Sequence, residues 1–169
     1  GDKDFLYQTA TEWKGKLDKT AQRVDYVEYP GVGHNSWEWA YKDGFIFDWF
    51  SQFKRDLFPE KVSFTTKWFK YNKAYWVTVD DHVPGATASI EAKFTGANSI
   101  TVVSSGVNAF TLSIEGHHMF SSSKRVTVSV NGKAFSVKSA DAVSFMMDGD
   151  RWENRRFTPG LTSKQKGAE

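Results

Sequence analysis

The chain has 169 residues, 40% of them hydrophobic and 25% charged, enough for one domain of ordinary size or one domain with an appended remnant. Its 22 basic and 20 acidic residues leave a formal net charge of +2 and are mixed along the chain, which excludes the polycationic pattern of a nucleic-acid binder. There is no cysteine, so disulfides, thiolate zinc sites and a cysteine nucleophile are excluded together, and no apolar run approaches the roughly 20 residues that span a bilayer.

In chain order, the first predicted element is a short helix over 4–17. Phe5, Leu6, Ala10, Trp13 and Leu17 recur there at roughly helical spacing, and the polar run Asp18-Lys19-Thr20 ends it. Arg23 to Tyr29 alternates imperfectly, as a strand buried on both faces of a parallel sheet does. The loop Tyr29-Pro30-Gly31-Val32-Gly33-His34-Asn35-Ser36-Trp37 follows, with its histidine between flexible glycines and a second helix. That helix, over 43–53, carries Phe45, Ile46, Trp49, Phe50 and Phe53 as a wide apolar stripe that something must cover. Helix, strand, loop and helix make an α/β pattern too short to be a whole α/β domain. Pro59 marks the boundary near Leu57.

From Lys61 the periodicity changes to two residues. Eight short strands are expected, at 62–67, 74–80, 88–94, 99–104, 110–114, 124–130, 133–138 and 143–147. Their even spacing predicts an antiparallel β-sandwich of about seven or eight strands over 57–157. Asn131-Gly132 is the preferred pair for a two-residue type I′ turn and sets a register with Val128 opposite Phe135 and Val126 opposite Val137. Residues 158–169 read as a linker or disordered tail.

The candidate chemistry centres on His34, since a strand-end loop is where a scaffold places a proton-transfer group. His117-His118 lack a third ligand at metal spacing, so neither a metal nor a cofactor is expected. Asp80-Asp81 and Asp148-Gly149-Asp150 read as turns. Residues 151–156, Arg-Trp-Glu-Asn-Arg-Arg, read as a solvated end. Trp68-Phe69-Lys70-Tyr71 and Tyr75-Trp76 read as a seal on the β domain, with a carbohydrate platform as the alternative.

Gly1-Asp2-Lys3-Asp4, followed by a helix, a strand and Tyr29-Pro30-Gly31-Val32-Gly33-His34, resembles the last part of an α/β-hydrolase of the prolyl-oligopeptidase and dienelactone-hydrolase type. The resemblance covers residues 1 to about 55. It extends loosely through Asn72-Lys73-Ala74-Tyr75-Trp76, which is similar to the start of a β-rich extension behind some members. It implies that His34 is the general base and Asp4 the acid that orients it, with Asp2 as the other choice. In that family a G-x-S-x-G nucleophile elbow precedes both residues, and this chain contains none. The implied chain is therefore a fragment of a serine hydrolase, esterase or peptidase, that does not turn over substrate alone. Its partners are then the missing N-terminal hydrolase domain and, in the parent, an ester or peptide. Self-association through residues 1–55 is a further expectation. The compartment is open, secreted or periplasmic for the parent. The alternative reading is a non-catalytic β-sandwich that binds or docks, carbohydrate among its ligands.

Overall fold

A computed structural model describes residues 1–20 and 23–159. The chain divides into two units, 1–55 and 56–169, each considered by itself. The expected tail lies outside the described residues from position 160 onward.

The N-terminal unit contains α1 (Tyr7–Thr20), α2 (Trp37–Tyr41) and α3 (Phe45–Ser51), with a 3-10 turn at Lys42–Gly44 between the last two. The second helix is thus two short ones. Asp43 at φ 56° and Gly44 at φ 76° break the helical path between them. Residues 23–29, expected as a strand, form no ladder with any described residue. The physical reason is that a strand exists only through its partners, and the described residues of this unit offer none. No described residue of the unit is buried. Trp13, Trp37, Trp39, Phe45, Phe47 and Phe50 are each roughly half exposed, at 47–62%. A segment with that much uncovered apolar surface has helices but no core.

The second unit is mainly β. It has ten strands among the described residues: β1 (Lys61–Thr66), β2 (Lys73–Ala74), β3 (Val77–His82), β4 (Ala88–Gly96), β5 (Ser99–Ser105), β6 (Val107–Ser113), β7 (Val126–Val130), β8 (Lys133–Val137), β9 (Ala142–Asp148) and β10 (Arg151–Glu153). They form two five-stranded sheets, ordered β1-β4-β5-β7-β8 and β10-β9-β6-β3-β2. Alternation along β4 and β6 sends Ile90, Ala92 and Phe94 from one sheet and Phe110 and Leu112 from the other into one shared core, with Trp76, Ile100, Val128 and Phe145. Each large side chain taken out of water there stabilises the unit by roughly 1.5–3 kcal/mol.

Three expectations change. Residues 74–80 are not one strand, because Tyr75 at φ 51° turns the chain between β2 and β3. Residues 151–156 are not simply a solvated end. Residues 151–153 form β10 against β9, and Trp152 is buried against Phe110 at a centroid distance of 5.2 Å. The sheets are also not wholly antiparallel, since β5 and β7 pair in parallel with Ile100 opposite Val128. Between those two strands the chain crosses to the other sheet as β6 and returns, so both run the same way. The β7–β8 hairpin has the expected register, Val128 opposite Phe135 and Val126 opposite Val137. Its turn residues Asn131 and Gly132 take φ 46° and 86°, as a type I′ turn requires.

Candidate functional site

The His34 loop is shaped by its own sequence. Tyr29-Pro30-Gly31-Val32 closes a turn in which the Val32 N–H donates to the Tyr29 carbonyl at 3.3 Å. Gly31 sits at φ 75°, the left-handed position that glycine takes without penalty after proline. The N-terminal residues grip this turn. The Lys3 N–H donates to the Val32 carbonyl at 3.0 Å, and the Gly31 N–H donates to Asp2 Oδ1 at 2.7 Å.

Within that frame His34 Nδ1 lies 3.2 Å from Asp4 Oδ1 and 3.1 Å from Oδ2. A carboxylate only accepts, so the shared proton lies on Nδ1, and in the neutral imidazole Nε2 then carries the lone pair. No described residue hydrogen-bonds to Nε2. Phe5 stacks on the imidazole at 5.1 Å, and Trp37 meets it edge-on at 5.8 Å. The Asp4 side chain is 15% exposed and that of His34 53%, so the carboxylate is sheltered while the imidazole opens to solvent.

The Asp4 carboxyl is held below the usual aspartate range. The main cause is the Leu6 N–H, which donates to Oδ1 at 2.9 Å; His34 adds to it and partial burial opposes it. One carboxylate therefore both satisfies an N–H at the start of α1 and holds the imidazole. Asp2 has a different task, tying down Gly31. Tyr7 extends the cluster, donating to Glu28 Oε1 at 2.9 Å, and that bond raises the tyrosine's pKa.

The other singled-out residues lie in the β unit. His82 is buried under Phe69, with ring centroids 4.0 Å apart, and its Nδ1 is 3.1 Å from the Val83 carbonyl. His117 is buried between Trp76 and Phe94, accepting at Nδ1 from the Met119 N–H at 3.1 Å. His118 is exposed, with Nε2 3.9 Å from Glu60 Oε1. No group of three or more candidate metal ligands occurs among the described residues. Asp80 and Asp81 do not form a turn. They lie in β3 at a register shift, where Asp80 accepts from Thr111 and Asp81 from Asn108. Trp68, Phe69 and Tyr71 are exposed, and the buried member of that aromatic group is Trp76.

The contacts missed in the sequence are those of Phe5, Tyr7 and Glu28. The pair Tyr7 and Glu28 gave no local signal, because its partners are 21 residues apart. Fold and site together define a two-unit chain: a core-less helical segment presenting an Asp–His pair, and a mainly-β unit of two sheets. No family model matches it, and neither a curated protein nor a solved structure is significantly similar to it.

Proposed function

We propose that residues 1–55 are the closing segment of a serine hydrolase, with His34 as general base and Asp4 as its orienting acid. The observation that carries this reading is the Asp4–His34 contact at 3.1–3.2 Å, with Nε2 left free on the exposed side. That is the tautomer and orientation a base needs to take a proton from a hydroxyl nucleophile. The serine and the oxyanion donors would come from a preceding hydrolase domain, which would also cover Trp37, Phe45, Phe47 and Phe50. The two sheets of the second unit are then a β-sandwich carried behind the catalytic domain. The substrate is an ester or a short peptide, attacked through an acyl-enzyme.

The test uses the parent protein and a fluorophosphonate probe, which labels a serine activated by a base. Labelling and p-nitrophenyl acetate hydrolysis are expected in the parent, and neither in the 169-residue chain. His34→Ala is expected to abolish both. Asp4→Asn is expected to lower turnover by roughly 10⁴-fold through loss of the correct tautomer. A parent that labels equally well with His34→Ala, or one with no reactive serine, overturns the assignment.

A further inference from the structure

The outer face of the second sheet carries a groove of about 540 Å³, within the roughly 300–1,000 Å³ of small-molecule sites. β3, β6 and β9 form its floor with Asp80, Thr111 and Ser144, and the chain at Arg156 and Phe157 forms one wall. Thr78 and Thr111 are direct cross-strand partners, as are Thr111 and Ser144, so three hydroxyls stand in a row on the face opposite the core.

The row is wired in one direction. Thr111 Oγ1 donates to Asp80 Oδ2 at 2.6 Å, so Ser144 Oγ, 2.8 Å away, donates to Thr111 in turn. This fixes the Thr111 and Ser144 hydroxyl protons inside the floor. The Ser144 oxygen and the second Asp80 oxygen retain acceptor capacity, and both residues line the groove. Asn72 is tied by its Nδ2 to the Val79 carbonyl at 3.0 Å, which leaves its oxygen as a third acceptor, and the Arg156 guanidinium supplies donors.

Asp80 is half-buried, and that burial raises its pKa despite the Thr111 bond and the positive charge of Arg156. Asp80 thus combines desolvation, a positive charge in its surroundings and a place in a cleft, the combination that makes a residue a candidate for a functional site. One negative and one positive group face the groove, so neither an anion nor a cation is favoured by net charge. Acceptors and donors at adjacent positions match the vicinal hydroxyls of a sugar, each of which both gives and accepts. The half-buried Phe157 adds an apolar surface for the C–H face of a ring.

From this arrangement we infer that the groove over β3, β6 and β9 binds a neutral carbohydrate through Asp80, Ser144 and Arg156. The inference stands apart from the hydrolase assignment, because none of these residues belongs to the His34 unit. The test is saturation-transfer NMR and calorimetry on the full chain with xylose, glucose, galactose, xylotriose and cellotriose. At least one sugar is expected to bind. Asp80→Asn keeps the shape and the Thr111 bond but removes the charge, and should weaken binding about tenfold or more. Arg156→Ala, on an exposed segment, should weaken it several-fold without touching the floor, and His34→Ala should leave it unchanged. Circular dichroism checks that each variant is folded. Binding of none of the five sugars overturns the inference. So does a sugar affinity indifferent to both Asp80→Asn and Arg156→Ala, or competition by inorganic phosphate at equal concentration.

Discussion

Asn98 offers the sharpest test of how the β unit is held. It ends the β4–β5 turn at φ 54°, a left-handed conformation, and is only 4% exposed. Its Nδ2 donates to the Ser121 and Lys124 carbonyls at 2.8 and 3.0 Å, and its Oδ1 accepts from the Ser121 N–H at 2.7 Å. Those partners lie on the loop that returns the chain from β6 to β7, the crossing that makes β5 and β7 parallel. At about 1 kcal/mol per bond, Asn98→Gly should destabilise the unit by about 3 kcal/mol. Glycine accepts the backbone conformation, and its greater unfolded-state freedom adds roughly 0.5–1 kcal/mol to the loss of the side chain's bonds. Asn98→Ala loses the same three bonds and adds the steric penalty of a Cβ in the left-handed region, a further 1 kcal/mol or so. Urea unfolding followed by tryptophan fluorescence, which reads the buried Trp76 and Trp152, measures both. If Asn98→Gly unfolds within about 1 kcal/mol of the parent sequence, the clamp does not secure the crossing and the bond count has been misread.

Two more outcomes follow from burial and exposure. His117 is buried, and desolvation, with His118 adding to it, holds its pKa below the usual histidine value; the Pro59 carbonyl, Asp56 and Glu60 oppose this without reversing it. Its folded pKa is the lower one, so below about pH 6.5 the unfolded chain takes up a proton the native state resists, and stability falls with acidification. The urea midpoint should drop between about pH 7.5 and 5.5, and His117→Gln should flatten that drop; a midpoint equally pH-sensitive in both would refute it. Separately, the uncovered rings of residues 1–55 should drive self-association of the 169-residue chain, read as a light-scattering mass above the monomer that falls on Phe45→Ser with Phe50→Ser. A strictly monomeric chain at high concentration would count against the reading of that face as uncovered.

Much of the β unit was legible because period-two patterning and turn chemistry act locally. Asn131-Gly132 fixed both a turn type and a register, and the strands at 88–94 and 99–104 needed only extending by a residue or two. What escaped was set by distant partners. β10 hides in a charged run because one residue, Trp152, carries its burial. The parallel β5–β7 pair depends on where β6 goes, which no window of β5 or β7 contains. Asp80 looked like a turn residue because aspartate usually is one, whereas a register shift in β3 leaves it half-buried on the sheet's outer face. In the other unit, residues 23–29 have strand-like composition without a sheet to join. The Asp4–His34 pair was reachable only through the family resemblance, since 30 residues separate its members.

The two carboxylates that matter most have opposite environments, and each suits a different task. Asp4 receives the Leu6 N–H and the imidazole, and its pKa is lowered, so it stays ionised as an orienting acceptor must. Asp80 accepts from the Thr111 hydroxyl within reach of the Arg156 charge, yet burial raises its pKa, so it is poised to gain from a ligand that replaces lost hydration. Their surroundings differ just as much. Asp80 is mounted on strands whose other face is a packed core, so the floor of its groove is backed by buried side chains. Asp4 and His34 are joined by bonds each worth about 1 kcal/mol, in a unit where no described residue is buried to back them. On the proposed hydrolase reading, the Asp–His geometry depends on the domain that would cover the rings at 37–50. Covering that face should tighten the pair, so a catalytic constant measured in the parent should be far more sensitive to Phe45→Ser than to any substitution in the β core. The reverse ranking would mean that this surface is not the one on which the catalytic pair is assembled.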